Sequence, residues 1–439
     1  MIQIYDSMTG SKRPFEKDKN ETVKMYVCGP TVYDNAHLGH GRSAVAFDLV
    51  RRFLEFSGYE VDFAFNITDI DDKMINRAND EGISVPELAE KIIPEYEKDY
   101  AALGIKPPTK NPRATEFIEE MVNLIKKLED GSHTYKLKDG IYFDITTFPD
   151  YGALSHQKMD ELAAGTSIEK RDDKKNHQDF VLWKFKKEGE PFWPSPWGDG
   201  RPGWHIECSA MSTSLLGDTL DIHGGGLDLK FPHHECEIAQ STSLTAKPFA
   251  RFWMHNGYIT VNKEKMSKSL GNFFTLKDIF KSYHPRVVRL FLISTHYRSP
   301  IEYSTELLEQ ARQTLRRLDE FWLKHTREIS DSVDDQVLNS ISEKLSNDFD
   351  SAGAFSVLFE WMNTNPKDAG ATLEEINEIF NIFPKDFVLT DEQQKLVQKR
   401  GEARKEKNWS LSDSLREELA KDGIEVEDTP EGQYLKPKI

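Results

Sequence analysis

Cysteine is nearly missing from this chain. Its 439 residues hold three, Cys28, Cys208 and Cys236, far apart in the sequence. That pattern does not suggest a disulfide framework and fits reduced thiols in a reducing compartment. Long apolar runs are missing too. No stretch approaches the roughly 20 apolar residues that a membrane helix needs, and the N-terminus, MIQIYDSMTGSKRPFEKDKNE, has no signal-peptide core. The expectation is a cytoplasmic protein with no membrane partner. Positive charge is in short supply: 57 Lys and Arg stand against 74 Asp and Glu, a net charge of −17. Such a balance argues against non-specific coating of nucleic acid, although a local basic face can still bind RNA. Lys and Arg are dense at 171–187 and 395–407, where a solvated face is the commoner meaning. No internal repeat or low-complexity segment stands out. What the chain does have is core-forming material: 38% hydrophobic residues, including 26 Phe and 8 Trp. Its length suggests about two to four domains.

Residues 23–28 (VKMYVC) read as a short buried strand. A Gly and Pro-rich turn follows, then AVAFDLVRRFLEFSG as an amphipathic helix ending at Gly58. YEVDFAFNITDID reads as the next strand, and SVPELAEKIIPEYEKDYAAL as a helix opened by a Ser-x-x-Glu pair. Strand, turn, helix and strand in that order predict a parallel α/β sheet of Rossmann type. Residues 105–200 differ, mixing one helix, short strands and a Pro, Trp and Gly-rich loop, and read as an insertion. TLDIHGGG, a helix starting near PHHECE, and RFWMHNGYITV resume the sheet before the polar KEKMSKSLGN loop. Beyond residue 275 the pattern is helical, with an extended or hairpin tail. The expected organisation is therefore 1–104 and 201–274 as two halves of a catalytic domain, 105–200 as an inserted segment, 275–385 as a helical bundle and 386–439 as a small C-terminal domain.

Several constellations carry chemistry. In HLGH, His37 and His40 flank Gly39 at a turn that opens a helix, where free N–H groups and the helix dipole favour phosphate. Gly39 permits close approach of a nucleotide. KMSKS supplies Lys265 and Lys268 on a Ser and Gly-containing loop. Each motif alone is weak; together, after the first and last strands of one sheet, they point to nucleotide chemistry. Cys28 ends the first strand, Cys208 lies in GWHIECS, and His233 and Glu237 stand four apart on one helix face. A Cys2HisGlu set at the ends of sheet strands suits zinc. Cys236, three residues from His233, competes with Glu237 as a ligand. Asp69, Asp71 and Asp72 read as a solvated turn.

HLGH and KMSKS in this order resemble the signature pair of class I aminoacyl-tRNA synthetases. MYVCGPTVYDNAHLGHGR, NITDIDDK, GWHIECSAM, HGGGLDLKFPHHECE, KMSKSLGN and the C-terminal RGEARKEKNWSLSDSLREELAKDGIEVEDTPEG are similar to cysteinyl-tRNA synthetases over nearly the whole chain. The resemblance implies one zinc ion on Cys28, Cys208, His233 and Glu237, with Cys236 a packing residue. It implies L-cysteine, ATP with Mg2+ and tRNA(Cys) as substrates, an adenylate intermediate, and a C-terminal anticodon-binding domain. His37, His40, Lys265 and Lys268 would act on phosphates. Gly39, Asp228, His255 and Gly257 would hold ATP, and Gly29, Thr31, Thr68 and Trp204 the amino acid. A monomer is expected. Trp409 and Tyr434 are candidates for stacking on anticodon bases. Where relatives carry a Trp after the Thr-Pro-x-Gly turn, this chain has Gln433, Tyr434 and Leu435. A related ligase of mycothiol synthesis would share the zinc and ATP motifs but lack the C-terminal stretch.

Overall fold

A computed structural model of the chain describes residues 1–157, 171, 173–266, 273–325, 332–384, 389–429 and 432–439. Lys268, Ser267 and Ser269 of KMSKS lie outside the described residues. At the centre is a four-stranded parallel sheet. Its strands are β1 (Val23–Val27), β2 (Val61–Phe65), β3 (Leu220–Gly226) and β4 (Ala250–Asn256), in the order β4-β3-β1-β2. Segments on either side of the 105–200 stretch thus share one sheet. Both faces are covered, which is why β1 is buried at every position except Lys24 rather than alternating. Residues 110 and 113 continue the sheet at the β2 edge, pairing with Ala64 and Ile67.

The first crossover helix, α1 (Leu38–Phe56), begins directly after His37. It buries Leu38, Val45, Phe47, Leu49 and Phe53 against the sheet and the helices beyond it. The helix Val85–Ala102 starts with the expected box: Ser84 and Glu87 cap each other's backbone N–H. A helix at Asp72–Glu81 was not expected. Asp71 caps its start and Gly82 ends it in the left-handed region, φ 67°.

The inserted stretch forms its own antiparallel sheet from Thr134–Leu137, Gly140–Phe143, Phe180–Phe185 and Gly200–Pro202. It runs straight into α2 (Trp204–Leu216), which carries Cys208. The sequence around PHHECE does not form one continuous helix. Lys230–His234 make a wide turn, and α3 spans Glu235–Thr245. After β4 comes a tight antiparallel pair, β5 (Ile259–Val261) and β6 (Glu264–Lys265), so Lys265 sits on a hairpin rather than a bare loop. Next is α4 (Pro285–Ile293), then β7 (Ile301–Glu302), which pairs in parallel with β5. Further helices follow, and the chain ends in an antiparallel hairpin, Ile424–Thr429 with Gly432–Pro437. No helix of the described residues is long and apolar enough to cross a membrane.

Candidate active site and metal centre

Four side chains from four separate segments converge beneath the C-terminal ends of the strands. Cys28 follows β1, Cys208 lies in α2, His233 in the wide turn and Glu237 in α3. Their ligand atoms all lie within 4.8 Å of one another, and all four residues are buried. Cys28 Sγ is 3.5 Å from Cys208 Sγ and 3.4 Å from Glu237 Oε1, and His233 Nε2 is 3.1 Å from Glu237 Oε1. Ligand atoms on a tetrahedral ion with bonds of about 2.0–2.3 Å stand about 3.3–3.8 Å apart. The donor set therefore fits zinc in chemistry, and two of these three spacings fall in that range with the third just below it. Cys236 does not join it: its thiol meets the Tyr151 hydroxyl at 3.4 Å, on the side facing the inserted segment.

Electrostatics prepare this cluster for a cation. Burial opposes ionisation of Glu237, yet His223 and His233 hold its carboxyl well below the usual range. Burial also opposes ionisation of Cys208, but hydrogen bonding with Cys28 and His233 brings its thiol down to about 6. The thiol of Cys28 is pushed up by burial and by Cys208. His223 Nε2 contacts Glu237 Oε2 at 2.8 Å, and His205 Nδ1 contacts His233 Nδ1 at 3.0 Å. These two partners orient the carboxylate and the imidazole, a common arrangement around metal ligands. Sequence reasoning passed over both. His205 had a usable signal, since it stands beside Trp204 in the same motif.

A cavity of about 280 Å³ opens above the cluster, lined by Cys28, Thr31, His37, His40, Trp204, Asp228, Gly257 and Lys265 among others. Trp204 is 37% exposed and lies flat on His233, ring centroids 4.3 Å apart. It is a wall of the cavity, not a core aromatic. Asp228 pairs with Lys265 at 3.2 Å, and the lysine also sits 4.2 Å above the Tyr258 ring.

His37 and His40 cap α1 reciprocally. His37 Nδ1 accepts the His40 backbone N–H at 3.2 Å, and His40 Nδ1 accepts that of His37 at 3.3 Å. The rings stack with centroids 3.5 Å apart, and the Tyr96 hydroxyl lies 3.1 Å from His40 Nδ1. With Nδ1 accepting in both rings, the proton resides on Nε2, which leaves two N–H donors at the cavity. Burial lowers both pKa values, that of His37 to about 4, so the rings are neutral donors near pH 7. Gly39 is required for this fold-back, because a Cβ there would stand 2.9 Å from the His37 ring.

Other expected site residues are placed differently. His255, expected at the adenine site, is buried; its Nε2 meets His234 Nδ1 at 2.9 Å and its Nδ1 the Ser7 hydroxyl at 2.8 Å. β4 alternates sides, and this position points inward rather than into the cavity. Thr68 is also buried; its hydroxyl donates to Glu207 at 3.0 Å, and it does not line the cavity. Gly29 lines the cavity, but its N–H is taken by Asn66 Oδ1 at 2.8 Å. The acidic run is solvated only in part: Asp69 is buried on Thr115, Asp71 caps the helix that follows, and Asp72 is exposed and pairs with Lys184 and Arg201.

Comparison with known proteins identifies the family. The profile of tRNA synthetases class I (C) catalytic domains matches residues 14–313, and that of the cysteinyl-tRNA ligase anticodon binding domain matches 388–435. A cysteine–tRNA ligase of a Geobacillus species is 47% identical, the alignment covering 99% of both chains. One from Caldicellulosiruptor saccharolyticus is 46% identical over 98% of both. Among solved structures, Mycobacterium tuberculosis methionyl-tRNA synthetase in complex with methionyl-adenylate superposes with a TM-score of 0.58 at 15% identity, covering 82% of this chain and 88% of that one. At that identity the likeness concerns the fold alone. With a catalytic profile, an anticodon-domain profile and full-length relatives in agreement, the chain belongs to the cysteinyl-tRNA ligase family of class I tRNA synthetases.

Proposed function

We propose that this enzyme selects L-cysteine through zinc held by Cys28, Cys208, His233 and Glu237. It then forms cysteinyl-adenylate from ATP and passes the cysteinyl group to the 3′ end of tRNA(Cys). The carrying observation is the position of the cluster, whose Cys28 lines the same cavity as His37, His40 and Lys265. Zinc bound there would deprotonate the substrate thiol and favour it over the hydroxyl of serine. An apolar pocket alone rejects a near-isostere by only about 10- to 200-fold, so selection by a thiolate ligand removes the need for editing.

The other residues position and neutralise. Trp204 closes one side of the amino-acid site, with Thr31 and Gly29 beside Cys28. Asp228 accepts hydrogen bonds from the ATP ribose. Its present partner, Lys265, is then released toward the phosphates. Attack of the cysteine carboxylate on the α-phosphate places growing charge on the pyrophosphate leaving group. The Nε2–H donors of His37 and His40, with Lys265 and Lys268, meet that charge; Mg2+ enters with ATP. Gly257 brings its backbone close to the nucleotide, with Ser299 packed so tightly behind that a Cβ would stand 2.5 Å from it. The second step uses the bound tRNA. Its anticodon loop meets the C-terminal domain, where Trp409 is 55% exposed beneath the Arg404 guanidinium.

Exchange of labelled pyrophosphate into ATP, with cysteine and with or without tRNA, tests the reading. Cysteine-dependent exchange followed by charging of tRNA(Cys) is expected. Exchange with charging of an amino sugar instead of tRNA would refute it.

A further inference from the structure

The helix that carries the histidine pair also carries a buried guanidinium that the reaction above does not use. Arg42, two residues beyond His40, is 1% exposed. Burial is the one cause acting on its charge, and no carboxylate forms an ion pair with it among the described residues. Its partners are backbone carbonyls on a single stretch of chain. It donates to Leu292 O in the last turn of α4, to Thr295 O at 3.3 Å, to His296 O at 2.7 Å and to Ser299 O at 3.4 Å. The last carbonyls of a helix have no partners of their own, and a cation there meets the negative end of the dipole. Only a planar fork with several donors reaches so many carbonyls at once.

That stretch leads directly to the lysine hairpin. The Gly257 N–H donates to Tyr297 O at 2.8 Å, and Ser299 is the backbone packed behind Gly257. β7 begins two residues after Ser299 and pairs in parallel with β5, where Ile301 N–H donates to Tyr258 O at 2.9 Å and Tyr303 N–H to Thr260 O at 2.7 Å. β5 in turn pairs with β6, which carries Lys265. At the hairpin tip Glu302 accepts from the Thr260 hydroxyl at 2.5 Å and from the Lys263 N–H at 3.2 Å.

We propose that Arg42 is a positioning residue for adenylate formation: by clamping residues 292–299 to the helix of His37 and His40, it sets the distance between the histidine donors and Lys265. Arg42 touches no reacting atom. It holds two phosphate-binding elements, one from each half of the sheet, in a single frame. A displacement of about 1 Å between such groups can cost about 100-fold in rate. The inference rests on the role given to Lys265 above.

The test is a kinetic cycle on the full-length, zinc-loaded enzyme, using pyrophosphate exchange with Arg42→Lys, Glu302→Ala, Lys265→Ala and the combinations of Lys265→Ala with each. Arg42→Gln is the harsher variant; Arg42→Lys and Glu302→Ala, at a half-buried position, guard against loss of folding, which thermal unfolding monitors. Arg42→Lys is expected to lower kcat for exchange about 10-fold while the KM for cysteine and the zinc content stay unchanged. Glu302→Ala should move the same parameter by less. In the Arg42→Lys background, Lys265→Ala should cost much less than it does in the wild type, because the lysine is already misplaced. Strict additivity, with Lys265→Ala harmful on its own, overturns the positioning role and leaves the lysine's role intact. A silent Lys265→Ala overturns both. A rise in cysteine KM or loss of zinc in Arg42→Lys also contradicts the inference, since it reveals general disruption.

Discussion

The catalytic region and the C-terminal region are built on opposite plans. In the first, the chemistry sits inside the core. Cys28, Cys208, His233 and Glu237 are at most 7% exposed, come from three distant stretches of the chain and are held by a large apolar cluster that spans the sheet and its helices. In the second, among the described residues, the core cluster is small, Leu419, Ile424 and Val426 with four partly buried neighbours, and the residues suited to a partner, Trp409 and Leu411, stand at the surface. There an ion pair substitutes for apolar mass: Arg400, buried, holds Asp428 in two bonds of 2.9 Å and Gln433 at 2.6 Å. A metal ion demands fixed donors and a desolvated site. An RNA loop demands accessible surface.

The sharpest way to break the comparison is to remove a ligand. Cys208→Ala or Glu237→Ala should release zinc and lower both exchange and charging by well over 100-fold, because even the outer partners of a metal ligand typically cost about 10- to 100-fold. Cys236→Ser should keep full zinc, as measured by metal analysis. Next in size, Lys265→Ala should slow exchange about 100-fold, the usual scale for losing one charge-stabilising group. Arg400→Ala acts on the other region. It takes the buried guanidinium away from Asp428 and Gln433, although Arg404 still pairs with Asp428 at 2.8 Å, and should destabilise the C-terminal unit by about 1–2 kcal/mol, so that charging falls while exchange without tRNA is unchanged. Trp409→Ala should raise the KM for tRNA only, by roughly 10-fold if a base stacks there. The smallest effect concerns pH. Burial, set mainly against attraction by Asp228, lowers His37 to about 4, and burial with repulsion from Arg286 lowers His284 to about 4. The unfolded chain binds these protons below about pH 6.5 and the folded chain refuses them until about pH 4. Stability from this source is therefore complete above pH 6.5 and declines as pH falls through that window, which denaturant titrations at pH 7 and pH 5 would reveal.

How far the sequence foretold this depends on the kind of signal each feature leaves. Strands β1 to β4 and the Ser84–Glu87 box are local patterns and were legible. The helix Trp204–Leu216 was not, because it is buried on most sides and has no apolar stripe to read. His233 and Glu237 were placed on one face by their spacing of four. Whether Cys236 joined them turned on the wide turn at Lys230–His234 and on Tyr151, which belongs to another segment. His255 and Thr68 were assigned to substrate through the motifs around them, yet their polar atoms serve buried neighbours that are remote in sequence. The partnership of Glu237 with His223 is likewise a tertiary fact, since nothing in TLDIHGGG announces it.

The central claim is that the buried cluster is a zinc site that takes the substrate sulfur. X-ray absorption at the zinc edge, on the full-length enzyme with and without cysteine, tests it most directly. Two sulfur neighbours at about 2.3 Å are predicted for the free enzyme and three once cysteine binds, with no change on adding serine. Three sulfurs before cysteine is added, or a zinc environment that cysteine leaves unaltered, would contradict the account.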